Sequence, residues 1–135
     1  MLGIFGYFIA FNVWSVNGYL CLSDSTTGFY MDDGTKEWRP TVFNKNRKFT
    51  ITRDDEHPWK VSEVGSDSWL IKCKSEFSGD NLSCGHGFLN LRMSKKTNRY
   101  LLTSDVGYWD FMETDETFAE GANNPYVEIG QCSEF

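Results

Sequence analysis

The chain has 135 residues, 40% apolar, 16% aromatic and 24% charged, which is enough apolar content for one packed core and too little charge for a disordered chain. Nineteen acidic side chains outweigh thirteen basic ones, giving a net charge of −6. The surface as a whole therefore repels phosphate backbones and anionic lipid heads, which argues against general nucleic-acid binding.

The N-terminal stretch from Leu2 to Val16 carries no charged side chain. It has the length of a signal-peptide core and is too short to span a bilayer comfortably, so no integral membrane span is expected. The modest residues at Val16-Asn17-Gly18 fit cleavage after Gly18, leaving Tyr19 as the first mature residue. Residues 1–18 thus read as a signal peptide or an apolar N-terminal segment, and 19–135 as a single β domain. No Lys or Arg precedes the run, so only the amino terminus supplies positive charge there. The other reading of the segment is a buried first strand or short helix of the mature domain.

Beyond it, helix signals are scarce and strand signals recur. Phe49 and Ile51 alternate with Lys48, Thr50 and Thr52; Trp59 and Val61 with Lys60 and Ser62; Leu89, Leu91 and Met93 with Asn90, Arg92 and Ser94. In a strand such alternation puts the apolar members on one face. The abundance of Phe, Tyr and Trp favours the same structure, because rings fit a pleated, half-buried surface. Turn signals fall between the runs, among them Asp32-Asp33-Gly34, Asp54 to Pro58, Gly65-Ser66-Asp67, Ser78 to Asn81 and Lys95 to Asn98. Strands are expected near 19–23, 27–32, 37–43, 47–53, 59–64, 68–74, 86–94, 99–104 and 126–132. An all-β fold follows: a small antiparallel barrel of 8–9 strands, preferred over a sandwich because closure removes exposed edges. The acidic stretch 110–124 reads as a long loop or a short helical turn. The basic groups at Lys45, Arg47 and Lys48, and at Lys95, Lys96 and Arg99, read as solvated turns.

Cys21, Cys73, Cys84 and Cys132 form an even set without a C-x-x-C pair, which points to disulfides and an oxidising compartment. Four cysteines allow three pairings. Cys73 and Cys84 flank a polar stretch suited to a hairpin turn, and Cys21 and Cys132 lie on the first and last strands of a barrel, which are neighbours. The expected bonds are therefore Cys73 with Cys84 and Cys21 with Cys132, worth roughly 3 and 4–5 kcal/mol on a loop-entropy basis.

Catalytic signals are weak. Cys84 and His86 share one strand face, as a Cys/His pair would need, but a disulfide-bonded Cys84 can be neither nucleophile nor ligand. The acidic turns at Asp32-Asp33-Gly34 and Asp54-Asp55-Glu56 lack the spacing of a calcium loop and read as hairpin chemistry. No metal site and no cofactor is implied, and no G-x-S-x-G, H-E-x-x-H or phosphate-binding glycine loop occurs. The positive signal is the excess of rings: Trp38, Trp59, Trp69, Tyr100, Tyr108 and Trp109, with Phe88 beside them. Lining a barrel mouth or a sheet face, they would bind an apolar ligand, a glycan or another protein; placed inside, they are simply core.

Several of these features recur in a known order: Cys21, Thr27-Gly28-Phe29, Trp38 with Phe43, Lys48-Phe49, the Cys73 and Cys84 pair, Asn98-Arg99-Tyr100, Gly107-Tyr108 and the ending Pro125 to Cys132 with its Glu-Ile-Gly-x-Cys series. Over about residues 19–132 the chain resembles a loose group of small exported, uncharacterised proteins of Gram-negative bacteria and their phages. The resemblance implies a periplasmic or secreted location and this architecture, and no mechanism. The functional expectation is a non-enzymatic exported β-barrel module that binds a protein or a small apolar or glycan ligand. The alternative is a structural or assembly component, such as a particle-surface protein, that keeps its apolar N-terminal segment.

Overall fold

The computed structural model describes residues 16–44, 46–66, 68–109 and 124–135. The expectations placed on 1–15 and on most of 110–124 lie outside these residues. Within them are nine antiparallel strands and no helix: β1 (Gly18–Asp32), β2 (Glu37–Phe43), β3 (Lys48–Thr52), β4 (Trp59–Glu63), β5 (Trp69–Cys73), β6 (Asn81–His86), β7 (Leu89–Ser94), β8 (Arg99–Ser104) and β9 (Tyr126–Glu134). Eight of them follow one sheet path, β5-β4-β3-β1-β9-β8-β7-β6, and β2 pairs with β1 beside it.

The path curls until its two ends meet. Cys73 of β5 and Cys84 of β6 are disulfide bonded with their Cα atoms 4.8 Å apart, although the two strands are not neighbours in the hydrogen-bonded order. The barrel is thus closed over seven interfaces by backbone ladders and over the eighth by sulfur. The second disulfide joins Cys21 and Cys132, which face each other directly in the β1–β9 register. Both expected pairings are present.

Alternation explains the interior. Phe49, Ile51, Val61, Ile71, Leu82, Leu91, Met93 and Leu102 are buried, all from the inward phase of their strands; each contributes about 1.5–3 kcal/mol when taken from water. The outward partners remain wet.

Two elements differ from the sequence expectation. The segments 19–23 and 27–32 are one continuous strand, because Ser23-Asp24-Ser25 forms a register shift against β9 instead of a break. The extra residue switches the buried phase from Tyr19 and Cys21 to Thr26, as a β-bulge does. The stretch 86–94 is in turn two elements, since Gly87 adopts φ +58 and reverses the chain between β6 and β7. β6 was not expected upstream of that turn, yet Leu82 and Cys84 are buried while Ser83 and Gly85 face out.

The registers define two ends. One gathers the β1–β2 hairpin, the starts of β5 and β9, the β6–β7 turn and the end of β8. The other gathers Gly18, the end of β3, the start of β4 and the end of β9.

Candidate functional site: a belt of rings at one end of the barrel

Four of the six rings singled out in the sequence meet at the first of these ends. Trp38, on the β1–β2 hairpin, contacts Tyr108 edge-to-face with ring centroids 5.5 Å apart. Trp109 follows Tyr108 in the chain and lies 6.2 Å from Phe88 in the β6–β7 turn. Trp69 opens β5 and meets the His86 ring at 4.7 Å, again edge-to-face. Trp69, Phe88, Tyr108 and Trp109 are 41, 42, 63 and 68% exposed, and Trp38 is half-buried. Large rings this exposed are the unusual observation on this surface among the described residues. Short turns put them there: β6 and β7 are joined through Gly87, and the hairpin carrying Trp38 is held by Asp32, whose carboxylate accepts hydrogen bonds from the Gly34 and Thr35 amides at 2.9 and 3.2 Å. Those backbone bonds and the Arg39 ion pair keep the Asp32 carboxyl below the usual carboxylate range.

The other two rings lie elsewhere. Tyr100 is in the core, against Phe49 at 4.8 Å, with its hydroxyl donating to Glu128 at 2.8 Å. Trp59 is buried near the opposite end in a triangle with Tyr19 and Phe77. Its indole N–H donates to Glu76 at 2.8 Å, and the Arg53 guanidinium lies over its ring at 4.0 Å. An open cleft of about 790 Å³ borders this triangle, with Arg53, Lys95 and Glu134 on its walls. Burial, then the nearby Glu134 charge, raise the Tyr19 phenol above its ordinary value.

The most unusual polar residue was not anticipated. Glu128 is completely buried, accepting from Tyr100 at 2.8 Å and from Thr26 at 3.2 Å, with the Arg47 guanidinium 3.8 Å away. Arg47 also donates to the Tyr126 hydroxyl at 3.0 Å, so it is an internal counter-charge and not part of a solvated turn. Burial, followed by the bond to Glu128, pushes the Tyr100 phenol well above its ordinary value. Gly130 makes room for that ring: a Cβ there would lie 2.4 Å from Tyr100 Cε1 and 2.2 Å from the Leu22 carbonyl oxygen. Glu128, Tyr100 and Thr26 are buried, and no buried side-chain polar atom among the described residues lacks a partner, which suits structure better than chemistry. Its signal in the sequence was the phase of Glu128, Gly130 and Cys132, which places the carboxylate on the same face as a bridging cysteine.

The remaining candidates resolve simply. Cys84 is in a disulfide, and His86 packs on Trp69. The Asp54 carboxylate accepts from the His57 ring N–H at 3.2 Å and lies near Lys60. Among the described residues no group of three or more His, Cys, Asp or Glu side chains is arranged to hold a metal ion, and no helix is long and apolar enough to cross a membrane. All four cysteines are bonded, which points to an oxidising, non-cytoplasmic location. The chain matches no protein-family model, no curated protein and no solved structure.

Proposed function

We propose that the protein is a non-enzymatic, exported β-barrel binding module that engages a glycan through its belt of rings. One observation carries this reading: Trp69, Phe88, Tyr108 and Trp109, which could have been core, are gathered exposed at a single end. Rings in water cost free energy that burial against a ligand returns, and each presents both an apolar face and, for Trp and Tyr, a polar handle. The rings contact one another pairwise, Trp38 with Tyr108 and Phe88 with Trp109, while Trp69 meets His86, and the polar His86 and Asp105 are exposed at the same end. Separate platforms of this kind suit successive sugar rings better than the continuous dry centre of a protein interface. The resemblance to small exported proteins and the two disulfides agree with a place in the periplasm or outside the cell.

The test is a tryptophan-fluorescence titration of the full chain with maltohexaose, cellohexaose and chitohexaose, repeated on the variant Trp69→Ala/Tyr108→Ala/Trp109→Ala. The expected result is a saturable change with at least one hexasaccharide, weakened at least about tenfold in the variant while far-UV circular dichroism is unchanged, because each ring buried against the sugar gains about 25 cal/mol per Å² of apolar surface removed from water. Silence toward all three, or equal binding by the variant, contradicts the reading.

A further inference from the structure

The outward face of β6, β7 and β8 forms a regular grid leading away from the ring belt. Arg92 stands at its centre, directly between Ser83 on β6 and Leu101 on β8. Toward the belt the next row holds Gly85, Asn90 and Thr103; away from it the next row holds Asn81, Ser94 and Arg99. The alternate residues of these strands, Leu82, Cys84, Leu91, Met93, Tyr100 and Leu102, are buried, so the grid faces solvent. Two open grooves of about 490 and 530 Å³ run along it and share Ser83, Arg92 and Leu101. Gly85 leaves the floor low, and the Asn90 amide oxygen would lie 3.0 Å from a Cβ at that position.

The composition of this face departs from the rest of the chain. Acids outnumber bases in the protein as a whole, yet the grid holds two arginines and no carboxylate, and the outward row of β9 beside it is Val127, Ile129 and Gln131. Arg92 and Arg99 form no ion pair among the described residues, whereas Arg39, Arg47 and Arg53 all do. The Asn, Ser and Thr side chains of the grid likewise make no side-chain hydrogen bond there. Lys96 adds positive charge in the β7–β8 turn, whereas the Lys95 ammonium lies over the Phe77 ring at 5.0 Å.

We infer that this face binds an acidic polysaccharide, with sugar carboxylates held by Arg92 and Arg99. Diagonal neighbours on adjacent strands stand about 7–8 Å apart, and guanidinium forks pair with carboxylates in two parallel hydrogen bonds. The surrounding amides and hydroxyls match sugar hydroxyls, while Leu101 and Ile129 offer apolar surface to the C–H faces of the rings. One charge per sugar suits two arginines on an otherwise acidic molecule; the dense charge of a nucleic acid does not. The inference rests on the glycan reading of the belt for its ligand class, and on different residues for its site.

The experiment titrates the full chain with an alginate hexamer, with maltohexaose and with a single-stranded oligonucleotide of six nucleotides, using the parent, Arg92→Gln/Arg99→Gln and the triple belt variant. Both arginines are exposed, so the double variant keeps its fold, checked by circular dichroism and by the mass of the oxidised chain. The alginate hexamer is expected to bind the parent, to bind the arginine variant about tenfold or more weakly, and to weaken as salt rises from about 50 to about 200 mM. No binding of the hexamer, binding unaffected by the arginine substitutions, or oligonucleotide binding as tight as the hexamer's would overturn the inference. Absence of neutral-sugar binding by the parent, or neutral-sugar binding that the belt variant retains in full, with the alginate response intact, would count against the belt alone.

Discussion

Glu128 is where a single side chain governs the interior. Its carboxylate takes hydrogen bonds from Tyr100 and Thr26 and faces Arg47, so removing it leaves a phenol and a hydroxyl without that acceptor and a guanidinium without its counter-charge. Glu128→Ala is expected to cost about 3–5 kcal/mol in urea unfolding, and Tyr100→Phe about 1–3 kcal/mol, because the carboxylate loses one donor. The same pair predicts an alkaline limb. The folded Tyr100 phenol holds its proton more tightly than the unfolded one, so its contribution is complete below about pH 10 and declines above it, by up to about 1.4 kcal/mol per pH unit. Tyr19 is raised as well and adds a decline of the same sign. Urea midpoints measured between pH 9 and pH 11 should therefore fall less steeply in Tyr100→Phe than in the parent; equal slopes would remove the network from the account. The importance of Glu128 was hard to read from the chain, since an acidic residue in a strand is by default on the wet face.

The two disulfides do different work because their strands are connected differently. Cys21–Cys132 spans 111 residues, and loop entropy assigns it about 5 kcal/mol, but β1 and β9 are also laddered from Tyr19 to Gly28. Cys73–Cys84 spans only 11 residues and is worth about 3 kcal/mol on that basis, yet it holds the one seam without a ladder. Cys21→Ala/Cys132→Ala is expected to lose more global stability while hydrogen exchange in β1 and β9 stays slow. Cys73→Ala/Cys84→Ala should lose less, but exchange should accelerate in β5 and β6 specifically. Uniform acceleration in both variants would contradict this division. The pairing was legible from the positions of the cysteines; the nature of the seam was not, because it depends on how far the whole sheet curls. The strands themselves were legible wherever rings and branched residues alternate with polar ones, as in Phe49 to Ile51 and Trp59 to Val61. Ser23-Asp24-Ser25 misled because small polar residues look alike in a bulge and in a turn. β6 was missed because its outward members, Ser83 and Gly85, resemble loop.

Taken as a barrel with two ends, the molecule separates rings by role. Trp59 is locked at one end by Glu76 and Arg53, Tyr100 fills the interior, and Trp38, Trp69, Tyr108 and Trp109 collect at the other end. Sequence alone could identify the excess of rings but could not sort them, since indole and phenol suit core and binding surface equally well; the sorting comes from strand phase and from which turns share an end. The sorting also gives the sharpest check. Each tryptophan side chain has its own indole N–H resonance, so a proton–nitrogen correlation spectrum recorded during titration with the best-binding neutral hexasaccharide reads every indole separately. The signals of Trp69 and Trp109 should move progressively and saturate together, with that of Trp59 stationary. A spectrum in which Trp59 moves first, or in which no indole signal moves, would contradict the ring belt as the binding surface.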